Sequence, residues 1–346
     1  MRKIILSISL LFISFNIVAA ETYLPAQLLM LDDTFSHHVV IAEKSTHSLY
    51  LFKNENGKPT LVSKYPMATG KKAGDKFYQG DHRTPEGVYS FTDFLTHQDL
   101  LDRHGKQGQI YGVGAFVMNY PNPIDKRNGK TGGGIWLHST NDETRIDKGL
   151  DSRGCVVATN SNLIDLSKFI ELNRTPMVVV QNLSYLEKTS WLNQRSNLND
   201  ALAQWLEGWQ TENKKLYFNS YHKAEFFDKF RGNFDNFKTY KSAVFNNPGK
   251  PTINIENVSI LKAKDYAVIS FKQIYSSNTV NDVGRKSLYL KQDEFYNWKI
   301  VNETWTKSGI KPEDEDKIAF QPSMRFFKNN DPASILGADF VKRESN

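Results

Sequence analysis

Short apolar runs cut by tight turns fill the first half of this chain, and that pattern admits little besides β-structure. Residues 38–52 read HVVIAEKSTHSLYLF, then come the turn Asn54-Glu55-Asn56-Gly57-Lys58-Pro59 and the run LVSKYPMATG. GDHRTPEGVYSF (80–91) leads through a Pro-Glu-Gly turn into another strand, and 92–110 leaves room for a short helix. GVGAFVMNY (112–120) and TGGGIWLH (131–138) continue the pattern. Ser161 to Leu172 reads as a helix with Leu163, Leu166 and Ile170 on one face and Asn162 or Ser161 as cap, and TPMVVVQ (175–181) as a closing strand. A mainly β domain is therefore expected over 37–183, after an N-terminal extension at 21–36.

Composition changes after Leu186. Five of the six Trp lie beyond that point. Leu198, Leu202, Trp205, Leu206 and Trp209 fall on one helical stripe, a second helical stretch is expected over about 213–230, and four strand-like runs follow between 251 and 305. Helices before an antiparallel meander predict an α+β domain at 186–306. The last segment, 307–346, shows little periodicity apart from Ile335 to Val341 and is expected to be partly ordered at best.

The first twenty residues predict export. Arg2 and Lys3 precede an apolar run from Ile4 to Phe15, and Val18-Ala19-Ala20 offers a cleavage site, as in a secretory signal peptide. The alternative, a membrane anchor, needs about 20 apolar residues, and the run is shorter. No later segment is apolar enough to cross a bilayer. The net charge of +6 is spread out, without an arginine-rich arm or a nucleic-acid motif, so no nucleic-acid partner is expected.

One cysteine in 346 residues excludes an intrachain disulfide framework and any multi-cysteine metal site. His37-His38 and the isolated His82, His97 and His104 lack the spacing of a metal motif, and no metal or cofactor is expected. Cys155 is then either a small buried hydrophobe or a reactive thiol. It lies in DSRGCVVATN (151–160), seventeen positions after the histidine of IWLHST (135–140). A cysteine nucleophile needs a base within reach, a group to orient that base and amide donors for an oxyanion. His138 and the glycine turn before Cys155 fit that scheme, but by residue types alone the inert reading stays open.

The run His138-Ser139-Thr140 with Ser152-Arg153-Gly154-Cys155 resembles the His…Ser-His-Gly-Cys signature of the L,D-transpeptidase (YkuD) family. ATGKKAGDKFYQGDHRTPEGVY (68–89) resembles that family's second hallmark, through Gly70, Asp81, Arg83, Thr84, Pro85, Glu86 and Gly87. The resemblance implies a YkuD-type β-sandwich or barrel with short helices, acting on peptidoglycan stem peptides by acyl transfer through a cysteine thioester. It implies Cys155 as nucleophile and His138 as base, with a carbonyl of Ser152 or Arg153 orienting the imidazole and the amides of Gly154 and Cys155 holding the oxyanion. Arg153 stands where many members have His, and Val157 where many have Arg. Arg153, Asn160 or Arg145 is then the candidate anchor for a substrate carboxylate, with Ser139 and the Gly132–Gly134 loop, Gly133 at its centre, beside the substrate. For Arg83 to Gly87 a structural turn is expected rather than a catalytic role.

The second domain, with WLEGW (205–209), YFNSYH (217–222) and YNWKIVNETW (296–305), resembles an NTF2-like domain. Its aromatic residues read either as core or as a pocket for glycan or peptide. A signal peptide, a YkuD domain and an NTF2-like domain in this order resemble cell-shape L,D-carboxypeptidases, which remove D-Ala from meso-diaminopimelate in tetrapeptide stems. That implies a periplasmic, wall-associated enzyme, with dimers among similar enzymes. The alternatives are an L,D-transpeptidase that forms 3–3 crosslinks or attaches or releases a wall-bound protein, and a non-catalytic wall-binding scaffold.

Overall fold

A computed structural model describes residues 23–247 and 249–337. The expected signal peptide lies outside the described residues.

An eight-stranded mixed sheet builds the first unit. In spatial order its strands are Val156–Val157, Trp136–His138, Gly114–Met118, Gly87–Thr96, Pro176–Val180, His38–Glu43, Ser48–Glu55 and Lys58–Pro66. The sheet curls until its edges meet, where Ala68 and Val157 exchange two backbone hydrogen bonds of 2.8 Å. Side chains alternate across a strand, so each strand has an inner and an outer face. Val40, Ala42, Met177 and Val179 point into the curl, with Phe116, Leu137 and Val156. Val39, Ile41 and Val178 point out and are equally buried. Burial on both faces explains why HVVIAE and PMVVV are nearly unbroken apolar runs.

What covers the outer face is the second unit. Its five strands, Trp298–Thr306, Asn281–Gln292, Ala267–Ser276, Thr252–Lys262 and Leu28–Met30, form an antiparallel sheet. One face of that sheet packs Ile269, Phe271 and Leu288 against the helices Lys188–Gln210, Lys214–Asn219 and Phe234–Val244. The other face sends Leu261, Val268, Tyr289 and Val301 against Val39, Ile41 and Val178. Each such side chain contributes roughly 1.5–3 kcal/mol when fully buried. The Tyr266 hydroxyl accepts from the Val88 amide at 2.8 Å and from Asn122 at 2.9 Å, fixing the two sheets in register.

Four expectations change. The segment before residue 37 is not a simple extension, because Leu28–Met30 becomes the fifth strand of the second sheet. The helix after Cys155 spans Asn160–Ser167, and its cap is Thr159, whose hydroxyl accepts from the Asn162 amide at 3.2 Å. The helical stretch at 213–230 stops at Asn219, because Ser220 and His222 hydrogen-bond to Ile300 in the neighbouring strand. Residues 307–337 are packed rather than loose. Phe320 stacks on His37 with ring centroids 3.6 Å apart, Phe326 and Phe327 pack on Phe94, and Asp316 is buried between Arg174 and Lys272. Ile335 and Leu336 join the same core, while 338–341 lie outside the described residues.

Candidate active site

The edge of the curled sheet carries the two residues singled out by spacing. Trp136–His138 and Val156–Val157 run parallel, with Val157 opposite His138. Cys155 lies two residues before Val157, so the register sets it on the same side of the sheet as His138. A strand of three residues and a two-residue neighbour suffice because Leu137 and Val156 anchor them from the other face, both fully buried.

The turn before Cys155 depends on Gly154, whose φ of 129° disfavours any side chain. A Cβ there would also lie 2.8 Å from the Arg83 carbonyl. The upstream motif thus braces the turn, and the Gly70 amide donates to the Thr84 hydroxyl at 2.9 Å within that motif. This agrees with a structural role for Arg83 to Gly87.

Burial drives both groups toward their neutral forms. His138 is 3% exposed, and burial lowers its pKa to about 4; the Ser139 carbonyl opposes this and the Arg145 charge adds to it. Burial raises the Cys155 thiol to about 11, although the Trp136 backbone, Arg145 and Lys76 pull it back. The Sγ–H donates to the Gly134 carbonyl at 3.4 Å. At neutral pH the sheet edge carries a thiol and, on the same side, an uncharged imidazole. It can abstract a proton as the sulfur attacks, which is general-base chemistry rather than a standing thiolate.

The imidazole is oriented by a residue other than those expected. Nδ1 lies 2.5 Å from the backbone oxygen of Ser139, not of Ser152 or Arg153. A donating Nδ1–H leaves Nε2 as the basic nitrogen. The Gly154 amide expected at the oxyanion donates instead to the Ser152 hydroxyl at 3.0 Å, and that hydroxyl donates to the Cys155 carbonyl at 2.6 Å. Ser152 thus ties the turn together through its side chain.

Two residues expected beside substrate lie beneath the site. Ser139 is fully buried, accepting from the Val113 amide at 2.8 Å and donating to the Tyr111 carbonyl at 3.3 Å. Asn160 is 1% exposed; it donates to the Thr140 carbonyl at 2.8 Å and to Glu143 at 3.2 Å, and accepts from Val113 at 3.2 Å. Both are corrected to supports, because every polar atom of each already has a protein partner. Gly112, at φ 59°, lets the three segments meet, since a Cβ there would lie 2.3 Å from the Ser139 hydroxyl.

Arg145 is likewise engaged, by Asp151, the Thr140 hydroxyl at 3.1 Å and the Ile110 carbonyl at 3.3 Å. It acts on the site through its charge. Arg153 and Gly133 are exposed. Sequence reasoning missed two neighbours. The Tyr111 ring meets His138 edge-on at 4.9 Å, and burial and then the Cys155 charge raise its pKa. Lys76, 3% exposed, pairs with Asp81 at 2.7 Å. Burial pushes Asp81 up, but Lys76 and the amides of Phe77, Arg83 and Tyr78 outweigh it and hold the carboxyl at about 2. No motif flags Tyr111, and Lys76 is one of several lysines in its segment.

Comparison with known proteins agrees with this geometry. The profile of the L,D-transpeptidase catalytic domain, YkuD, matches residues 37–180. Residues 37–180 are a YkuD catalytic domain. The profile of the Cds6 C-terminal NTF2-like domain matches residues 197–304. Among solved structures, Bd1075 of Bdellovibrio bacteriovorus is similar at 28% identity and a TM-score of 0.69, over 82% of this chain and 98% of that one. The helical cell shape determining protein Pgp2 from Campylobacter jejuni is similar at 25% identity and a TM-score of 0.63, over 80% and 95%. No match is found among curated protein sequences. The YkuD family consists of cysteine L,D-transpeptidases and carboxypeptidases that modify peptidoglycan, and this chain joins its catalytic domain to an NTF2-like domain as Pgp2 does. Among the described residues no helix is long and apolar enough to cross a membrane.

Proposed function

We propose that this protein is an exported peptidoglycan L,D-carboxypeptidase that removes the terminal D-Ala of tetrapeptide stems and leaves tripeptides. The observation that carries this reading is the parallel register that sets Cys155 beside the strand of His138 in a YkuD domain. The architecture shared with a cell-shape protein supports trimming of the wall rather than general turnover.

In the proposed reaction Cys155 Sγ attacks the carbonyl carbon of the diaminopimelate–D-Ala bond while His138 Nε2 takes the thiol proton. The C–N bond breaks, the imidazolium returns that proton to the departing D-Ala amine, and a thioester remains. Water then attacks the thioester and gives one proton to His138; the C–S bond breaks, the imidazolium returns that proton to the departing sulfur, and the tripeptide acid released ionises to its carboxylate. The Cys155 amide faces the developing oxyanion. Arg153, exposed and two residues from the nucleophile, is suited to the terminal D-Ala carboxylate, which an internal peptide bond lacks. The expected signal peptide supports a periplasmic location, and the NTF2-like domain would hold the enzyme on the wall.

Purified tetrapeptide muropeptides are the test. The protein should convert them to tripeptides and free D-Ala, and Cys155→Ala should reduce the rate by more than about 1000-fold. Trimming that survives Cys155→Ala would overturn the nucleophile, and new crosslinked dimers would assign transpeptidation instead.

A further inference from the structure

Two guanidiniums near the junction of the units, Arg174 buried and Arg285 half-buried, are treated differently. Arg174 lies between Asp316 at 2.9 Å and Glu171 at 3.5 Å and also donates to the Thr34 carbonyl at 2.9 Å. Lys272 takes the second Asp316 oxygen at 3.1 Å. Arg285, paired with Lys272 across the strands, has no salt bridge among the described residues. Its terminal nitrogen donates to the Asn173 carbonyl, and its buried Nε–H has no acceptor. Asp32 exerts a field on it, but the Asp32 oxygens are held by the amides of Thr34, Phe35 and Ser36.

A guanidinium drawn out of water without an opposite charge is costly to desolvate. Here the missing partner has a place to sit. Arg285, Ser287 and Tyr289 alternate on the outer face of one strand, and register sets Ser270 opposite Ser287. Beside them the two units leave a cavity of about 330 Å³. Its lining holds two cations, Arg285 and Lys126, no carboxylate, the Ser270 and Ser287 hydroxyls, and an apolar wall that includes Leu261, Val268 and Pro176. One guanidinium with an unpartnered Nε–H, beside a serine pair whose hydroxyls bond each other at 2.8 Å and leave one O–H to donate, matches a singly charged oxyanion, and the apolar wall matches a ligand with a small carbon body.

We propose that this interdomain cavity binds a small carboxylate, paired with Arg285 and seated between the YkuD and NTF2-like domains. The site takes groups from both domains, so occupancy fixes one against the other. The ligand is either a free small acid or the C-terminus of a peptide, since both present the same head group.

Calorimetric titration of the full chain tests this, in an Arg153→Ala background so that the exposed arginine beside Cys155 does not contribute. Propionate represents a free acid, N-acetyl-D-alanine a peptide terminus, and N-acetyl-D-alanine amide the uncharged control. At least one carboxylate should bind, the amide should not, and Arg285→Gln should weaken binding at least tenfold. Binding of N-acetyl-D-alanine alone assigns a peptide terminus, whereas binding of propionate as well assigns small acids generally. Ser287→Val, which narrows the cavity and keeps the charge, should weaken binding to a similar degree and serves if Arg285→Gln does not fold. The proposal is overturned if neither carboxylate binds, if the amide binds equally, or if the variants bind as the parent does.

Discussion

Two sets of titratable side chains largely withdrawn from water, one in each domain, are handled in opposite ways, with His138 buried and Cys155, Glu303 and Lys286 in part exposed. At Cys155 and His138 burial meets little opposing charge, and both groups are pushed toward neutrality. Inside the NTF2-like domain burial raises Glu303, but Lys286 and the Tyr221 hydroxyl at 2.5 Å outweigh it, and the carboxylate stays ionised. The Trp205 indole donates to that same hydroxyl at 2.9 Å, and burial and then Lys286 bring Lys241 down to about 8. The first set can exchange a proton during a reaction. The second is an ion pair walled by aromatic rings, and it ties Tyr221 to the strand that carries Glu303.

That contrast is broken most forcefully at Glu303. Its replacement by Ala leaves Lys286, largely withdrawn from water, without a partner and should lower stability by about 3–5 kcal/mol, read from urea denaturation. Replacing both, Glu303→Gln with Lys286→Met, should recover most of that loss. A single substitution that costs less than about 1 kcal/mol would mean the pair is solvated, and the two domains would then not differ as described.

The catalytic side of the comparison is sharpened by pH. A thiol at about 11 should react with iodoacetamide roughly 100-fold more slowly at pH 7 than an ordinary cysteine, gaining about tenfold per pH unit until near pH 11. A standing thiolate–imidazolium pair would instead react quickly with little pH dependence across neutrality. Stability carries the companion signature. The folded His138 pKa lies below the unfolded one, so its contribution is complete above pH 6.5 and is lost as pH falls toward 4.

How far the sequence disclosed this arrangement depended on whether a feature was local. His138, Cys155 and the Gly154 turn lie within two short motifs, and neighbouring residues carry their signal. The stripe of Leu198, Leu202, Trp205 and Trp209 was legible because one helix buries one face. The strand Leu28–Met30 was not, since its partner lies some 230 positions away and three residues make no period. The segment after Thr306 escaped for another reason. It is pinned by single side chains, Asp316, Phe320 and Phe327, rather than by a repeating face. Ser139 and Asn160 have residue types common at substrate sites, and only burial reveals them as supports.

That last distinction supports the smallest of the expected effects. Asn160 bonds to Thr140 and Val113, which flank the segment holding the His138 strand and its orienting carbonyl. Asn160→Ala should cost about 1–3 kcal/mol of stability, because it leaves the Thr140 carbonyl and Glu143 short of a donor. If the residue positions His138, kcat on muropeptides should fall roughly tenfold while KM holds, since the base is displaced but the substrate's contacts remain. If it touches the substrate instead, KM should rise and kcat should hold. Arg153→Ala supplies the opposite pattern on the same assay, because an exposed carboxylate anchor acts on binding. A shared KM defect would return Asn160 to the substrate side of the site, and a kcat defect confined to Asn160 would keep it beneath the histidine.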